Sequence, residues 1–328
     1  MKIKNFYIIG VVSLIALVLV ACSNGDSKSS TEQKSADDVS ASSPYSVGLN
    51  DYYKELKEDT DGEINVKHHP DGQLGDKDEI VEGVESGTLK FGMVGGFPNS
   101  STAETMMLPY LFKDENHMHK VMDGETGDKI IKQIEEEVDV KIVGHVYFAP
   151  RQLTTKSTEV HEPKDLKGLK IRVPDNDISI ATWKALGASP SPIAFTEVFS
   201  GLQQGVINGQ ENPYDLIKSS SFDEVQDVLI ETNHALPVRW FIMNDDYYNS
   251  LDEEQQKMVE EKWDKYSDSI EEQYKSELDE AKEELIDSGM KFIEADEKSF
   301  REATKGVLED IGKERLGEDL FKEIQGLK

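Results

Sequence analysis

The chain of 328 residues is strongly acidic, with 65 Asp and Glu against 36 Lys and Arg, and its formal net charge at pH 7 is −29. This charge argues against nucleic acid or an anionic membrane surface as a partner, because both would repel the protein. It does not exclude an anionic ligand, since salt screens distant surface charges over about 8 Å and a local pair of Arg side chains can dominate.

The N-terminal segment has the pattern of an export signal. Lys2 and Lys4 precede an apolar run, Phe6–Ala21, that is too short for a membrane-spanning helix. The only cysteine, Cys22, follows this run directly, as in the lipobox of bacterial lipoproteins; an uncleaved anchor with an incidental cysteine is the alternative. We therefore expect a lipoprotein signal peptide at 1–21, a lipid on Cys22 and a location on the outer face of the cell membrane.

The remainder divides into a polar stretch and an α/β region. Residues 22–35 are rich in Ser, Lys, Asp, Glu and Gln and predict a flexible tether. From Pro44 onward, helical and strand periodicities alternate, which indicates largely parallel sheets. The segment 34–43 lacks a strand pattern, so no first strand is identified there.

Hydrophobic spacing and helix-terminating residues predict the individual elements. Strands are expected at 63–68, 89–94, 140–146, 151–155, 170–173, 206–211, 222–229, 235–244 and 289–293. Shorter helices are expected at 44–60, 76–86, 115–122, 124–137, 177–186, 195–204, 297–311 and 315–325. A long polar helix is expected at about 250–288.

No motif of an enzyme is present. The chain lacks a G-x-S-x-G turn, a G-x-x-x-x-G-K-[ST] loop, an H-E-x-x-H helix and a free cysteine nucleophile. His68 and His69 are adjacent in a strand, and His117 and His119 are two apart on a helix, so the members of each pair point apart. Surface roles are therefore favoured for these histidines, and neither a metal nor a cofactor is expected.

Polar side chains lie at the ends of two of the predicted central strands. Arg172 lies near Pro174, and Asn212 stands before Pro213, while Arg151 begins another predicted strand. The guanidinium group binds a carboxylate through two charge-assisted hydrogen bonds, each contributing about 1.5–3 kcal/mol. These residues predict a carboxylate site; salt bridges to the many acidic residues are the alternative.

The chain resembles a known family through several motifs that occur in a fixed order. They are D-G-Q-L-G at 71–75, M-M-L-P-Y-L-F at 106–112, G-L-K-I-R-V-P at 168–174, A-L-G-A-S-P at 185–190 and E-V-F-S-G-L-Q-Q-G-V-I-N-G-Q-E-N-P at 197–213. Over roughly 43–251 the chain is similar to the dicarboxylate-binding type of solute-binding subunit of TRAP (tripartite ATP-independent periplasmic) transporters. Such a series is more specific than any single motif.

The resemblance implies a two-lobed, periplasmic-binding-protein-like α/β clamshell. Its hinge strands would join the lobes, and the long helix would span both. The first lobe would comprise 36–148 and 237–275, and the second 149–236 and 276–328.

The resemblance also implies roles for the candidate binding residues. Arg172 would form the bidentate pair with the ligand carboxylate, Arg151 would be a second cation and Asn212 a hydrogen-bond donor. The residues expected near the rest of the ligand are Phe195 against its body, Glu211 and Asp175 at its polar groups, and Gly96 and Phe97 in a loop whose glycines let the backbone approach it.

The implied function is capture of a small organic acid and its delivery to the TRAP membrane subunits. A C4-dicarboxylate is the first expectation, and sugar acids and 2-oxo acids stay open. The alternatives are a sensor subunit that presents its ligand to a receptor kinase and an enzyme on the same scaffold.

Overall fold

The computed structural model describes residues 32–147 and 149–327. The predicted signal peptide at 1–21 and the cysteine at position 22 lie outside these ranges. Among the residues it describes, no helix combines the length and the apolar character needed to cross a membrane.

Five strands form the sheet of the first lobe. In spatial order they are β2 (Val66–His69), β1 (Gln33–Ala36), β3 (Phe91–Val94), β10 (Val238–Asn244) and β4 (Val140–Tyr147). Only β10 runs antiparallel to its neighbours. Because β10 follows the second lobe in the chain, the first lobe is assembled from two separate segments.

Six strands form the sheet of the second lobe. In spatial order they are β11 (Lys291–Glu294), β9 (Val228–Glu231), β5 (Gln152–Thr155), β8 (Gly209–Asn212), β6 (Lys170–Val173) and β7 (Ser189–Pro192). Here β5 is the antiparallel strand. Each sheet therefore contains one antiparallel strand, which in both cases is the first strand after the chain has crossed between the lobes.

Helices cover the two sheets. They are α1 (Pro44–Asp59), α2 (Lys77–Glu85), α3 (Ser101–Glu104), α4 (Glu115–Met122), α5 (Glu125–Glu137), α6 (Asp177–Ala185), α7 (Val198–Gln203), α8 (Tyr214–Ser219), α9 (Asp245–Ser250), α10 (Glu253–Asp287), α11 (Glu297–Leu316) and α12 (Glu318–Gly326). Local capping begins several of them where the sequence predicts. For example, Asp76 caps α2 through a reciprocal pair of hydrogen bonds with Glu79.

The long helix α10 spans both lobes, which confirms the expectation. Its 35 residues extend over about 52 Å. Trp263 and Ile270 pack into a core cluster of the first lobe, whereas Ala281 and Leu285 pack into a cluster of the second. Gly144 of β4 permits the close approach of Trp263, since a Cβ at that glycine would lie 2.1 Å from the indole Nε1.

A hydrogen-bonded tyrosine of α10 holds one crossing between the lobes. The hydroxyl of Tyr274 accepts from the backbone N–H of Ala149 at 2.8 Å and lies 3.1 Å from Oδ1 of Asp215, to which it donates. This contact joins the β4–β5 connection to α8 and to the long helix. The predicted two-lobed α/β architecture is thus observed with its connections packed in place.

The predicted tether at 22–35 extends too far, because β1 already begins at Gln33. This strand pairs in parallel with both β2 and β3. Ser35 and Asp37 are buried, and the hydroxyl of Tyr53 donates to Ser35 Oγ at 2.7 Å. Long-range pairing therefore makes a strand from residues that have no apolar alternation.

The C-terminal boundary of the second lobe was also wrong. The prediction places 276–328 in that lobe, but Leu316, Phe321 and Ile324 pack in a core cluster of the first lobe. Phe300, near the start of α11, packs in the second lobe. The predicted helices 297–311 and 315–325 differ accordingly, since α11 continues unbroken to residue 316 and returns the chain to the first lobe.

Candidate functional site

A cleft with a volume of about 230 Å³ lies between the two lobes. The end of β3 and the start of β10 contribute residues from the first lobe, and the ends of β6 and β8 contribute residues from the second. Seven of the eight predicted binding residues line it, namely Gly96, Phe97, Arg151, Arg172, Asp175, Phe195 and Asn212. Their roles toward a ligand stay predictions.

Arg172 is a buried cation that faces the cleft. Its side chain is buried, with a relative exposure of 4%, and its Nε donates to the carbonyl oxygen of Ile193 at 2.8 Å. Within the described part of the chain it forms no salt bridge to a carboxylate. Burial lowers the pKa of Arg172 to about 10, so the group remains charged at neutral pH. A buried guanidinium without a carboxylate is costly, and an anionic ligand would remove that cost.

Arg151 is held by groups of its own lobe. Its Nε donates to Oε2 of Glu211 at 2.5 Å, and its Nη2 donates to Oε1 of the same carboxylate at 3.1 Å. The same Nη2 also donates to Oδ1 of Asn212 at 2.8 Å. The charge of Arg151 is therefore already neutralised by Glu211, whereas Arg172 has no such carboxylate partner in the described chain.

Glu211 does not line the cleft, contrary to the expectation that it meets polar groups of the ligand. Successive residues of a strand point to opposite faces, and in β8 it is Asn212 that reaches the cleft. Glu211 is fully buried and also lies 3.0 Å from Nε2 of His234. Burial would raise its pKa, but the charge of Arg151 and the contact with His234 outweigh burial and lower the pKa to about 2.

The amide of Asn212 is partly engaged. Its Oδ1 accepts from Arg151, and its Nδ2 donates to Oε1 of Gln210 at 2.6 Å. An amide nitrogen carries two hydrogens, so one remains for a ligand.

The other predicted residues border open parts of the cleft. The ring centroid of Phe195 lies 5.8 Å from the guanidinium carbon of Arg172, which gives a cation–π contact. Asp175 is exposed at the rim. A Cβ at Gly96 would meet no atom within 4 Å, so space beside this glycine is open to a ligand.

The first lobe contributes a charged wall that is not predicted from the sequence. This wall includes Asp38, Asp76, Glu104 and Arg239. Arg239 could have been found, because it is one of only five Arg in the chain. Asp38 could not, since it lies in the segment that has no recognisable strand pattern.

Three histidines are buried, so the surface roles expected for His68 and His117 were wrong. The physical reason is that each ring has a polar partner inside the protein. The partners are Asp37 for His68, the carbonyl oxygen of Ile324 for His117 and Glu211 for His234.

A cluster of possible metal ligands lies away from the cleft. Glu115, His119 and Glu271 place ligand atoms within 4.8 Å of one another. The ammonium group of Lys275 lies 2.7 Å from Glu115 and 2.9 Å from Glu271. These contacts form an ion-pair network between α4 and α10, in which Lys275 already neutralises part of the charge of the two carboxylates.

The fold and the cleft together define a two-lobed α/β solute-binding protein. A family model described as "Bacterial extracellular solute-binding protein, family 7" matches residues 35–315. The chain belongs to this family, and its similarity to the solute-binding subunits of TRAP transporters is confirmed.

Individual relatives support the same assignment. A solute-binding protein of Roseobacter denitrificans is 35% identical over 280 residues, which cover 82% of this chain and 84% of the relative. A crystal structure of a TRAP periplasmic solute-binding protein from Sulfitobacter sp. with bound β-D-galacturonate superposes with a TM-score of 0.86 at 26% identity, covering 90% of this chain and 100% of that one. A structure from Roseobacter denitrificans with bound L-galactonate gives a TM-score of 0.81 at 29% identity, covering 90% and 97%. These relatives are described as binding proteins rather than enzymes.

Proposed function

We propose that this protein captures a small organic acid outside the cell and delivers it to the membrane subunits of a TRAP transporter. The observation that carries the proposal is Arg172, a buried and charged guanidinium that faces the cleft without a carboxylate partner in the described chain. A ligand carboxylate would accept its remaining hydrogen bonds, each charge-assisted.

Among organic acids, we favour a six-carbon sugar acid over the C4-dicarboxylate of the initial expectation. Similar proteins were solved with galacturonate, galactonate and glucuronate bound. In the present cleft, Arg151 is already paired with Glu211, which leaves Arg172 as the clear carboxylate anchor. Asp38, Asp76 and Glu104 offer acceptors to ligand hydroxyl groups on the opposite wall.

Closure of the two lobes around the ligand would complete the site. The carboxylate would bind to the second lobe at Arg172, and the hydroxyl groups would then reach the first lobe. A ligand that contacts both walls binds the closed form more tightly than the open form and shifts the population toward it. Closure also removes water from the charged pair, which strengthens it.

The test is calorimetric titration of D-galacturonate, D-glucuronate and succinate into the wild-type protein and the variant Arg172→Met. We expect a sugar acid to bind the wild-type protein and the variant to lose about 100-fold or more in affinity, because one partner of a buried charge pair is removed. Arg301→Met is the matched control, since Arg301 pairs with Glu297 outside the cleft. Unchanged affinity of the Arg172 variant would refute the proposal, and tight binding of succinate alone would restore the C4-dicarboxylate.

We also infer that the protein is attached to the membrane by a lipid on Cys22. The support is the sequence pattern alone, an apolar run followed directly by the only cysteine. Growth of the cells with a radiolabelled fatty acid should label the wild-type protein but not the variant Cys22→Ala, and an unlabelled wild-type protein would contradict lipid attachment.

A further inference from the structure

The two walls of the cleft differ in charge. The second lobe contributes Arg151 and Arg172, whereas acidic side chains predominate on the first lobe. The acidic residues of the first-lobe wall are Asp38, Asp76, Asp78 and Glu104, and its cations are Lys77 and Arg239. A ligand that fits both walls has one anionic end and one end that donates hydrogen bonds.

Arg239 is the buried cation of the first-lobe wall, with a relative exposure of 3%. Its Nη2 donates to Oδ1 of Asp38 at 2.8 Å and to the carbonyl oxygen of Met93 at 3.0 Å. The ring centroid of Tyr45 lies 5.9 Å from its guanidinium carbon. Arg239 is therefore fixed on β10, at the side of the cleft that belongs to the first lobe.

Asp38 is the acid that directly matches this charge. The neighbouring Asp37 also favours this charge through space, while its carboxylate accepts from the hydroxyl of Ser46 at 2.6 Å and from the N–H of Val39 at 3.1 Å. Asp38 is also on the cleft surface, so a ligand meets the Asp38 carboxylate and the Arg239 guanidinium together.

We propose that Asp38, by pairing with Arg239, restricts the cleft to ligands with a single carboxylate. The proposal rests on the proposed function, in which Arg172 binds that carboxylate. A carboxylate such as Asp38 only accepts hydrogen bonds, so the far end of the ligand must offer hydroxyl donors. A second carboxylate at that end is repelled by Asp38, and the Arg239 charge that would attract it is already matched.

The variant Asp38→Asn tests this directly, because it keeps the shape of the side chain and removes its charge. In this variant the charge of Asp38 no longer offsets that of Arg239, so the guanidinium attracts a second carboxylate more strongly. The probes are D-galacturonate, with one carboxylate, and galactarate, a six-carbon acid with a carboxylate at each end. Calorimetric titration of both into each purified protein measures the ratio of their affinities.

We expect the wild-type protein to prefer D-galacturonate. In Asp38→Asn, the affinity for galactarate should rise about tenfold, because this ligand gains a charge-assisted hydrogen bond to Arg239. The affinity for D-galacturonate should fall about tenfold, because its hydroxyl group loses a charge-assisted hydrogen bond to Asp38. Arg239→Gln should change the ratio in the opposite direction, since Asp38 is then unmatched and repels galactarate more strongly. Asp59→Asn is the control, because Asp59 pairs with Lys262 outside the cleft.

Thermal unfolding of each variant verifies that it is folded. An unchanged ratio in folded Asp38→Asn, or a wild-type preference for galactarate, would overturn the restriction by Asp38. A wild-type protein that binds neither probe would overturn it as well. These results differ from failure of the proposed function, which would appear as undiminished acid binding in Arg172→Met.

Discussion

Replacing Glu211 by Gln removes a negative charge that side chains from both connections between the lobes contact. Arg151 precedes β5 on the first connection, and His234 lies on the second, between β9 and β10. Both side chains contact Oε2 of Glu211, at 2.5 and 3.0 Å. The variant Glu211→Gln keeps the volume of the side chain but leaves the buried Arg151 without a carboxylate partner, so we expect it to be strongly destabilised.

The magnitude follows from the pKa of Glu211, which the Arg151 charge and the His234 contact lower to about 2 despite burial. The unfolded value is close to 4.5. At about 1.4 kcal/mol for each pH unit, the difference stabilises the folded state by about 3 kcal/mol at neutral pH. Because the folded-state pKa is lowered, this stabilisation is complete above pH 4.5 and is lost as pH falls through 2.

The assay is urea unfolding of the wild-type protein and Glu211→Gln at pH 7 and pH 3. We expect the difference in free energy of unfolding to be about 3 kcal/mol at pH 7 and to shrink by roughly 2 kcal/mol at pH 3. Glu159→Gln is the control, since Glu159 pairs with Lys291 at the surface and its removal should leave the unfolding midpoint unchanged. A difference between wild type and Glu211→Gln that is equal at both pH values would refute the reasoning.

Three other substitutions test the core, the hinge and the cleft. Burial raises the pKa of Asp215 to about 6, so the free energy of unfolding of the wild-type protein falls by about 3 kcal/mol as pH rises from 3.8 through 6. Thermal unfolding should therefore show Asp215→Asn to be more stable than wild type at pH 8 but not at pH 4. Equal stability of the two proteins at pH 8 would contradict this. Gly144→Ala places a Cβ against Trp263 and should lower the free energy of unfolding in urea by about 1–3 kcal/mol; an unchanged value would show that α10 shifts freely. Phe195→Ala removes the ring beside Arg172 and should weaken sugar-acid binding about tenfold in calorimetry. It should also lower the melting temperature, because the ring packs against Phe222; wild-type affinity in the folded variant would place the ligand elsewhere.

Local sequence signals account for the elements that could be predicted. The capping pair at Asp76 and the apolar stripe of α10 act within a few residues, so α2 and the long helix are readable from the chain itself. The strand β1 is different, because its polar residues are stabilised by partners on β2 and on α1 that are distant in sequence. Likewise, nothing near residue 316 indicates that α11 carries the chain back to the first lobe.

Within the site, residue types and motif order were enough to indicate which side chains could bind an acid. A scarcity of Arg in a strongly acidic chain made Arg151 and Arg172 conspicuous, and ordered motifs indicated the family. How the charges of these side chains are matched becomes visible only in the folded protein. It separates Arg151, held by Glu211, from Arg172, which has no carboxylate partner in the described chain, and it brings Asp38 onto Arg239 across 201 positions of sequence. The physical reason is that charge pairing depends on distance and burial in space, which spacing along the chain does not encode.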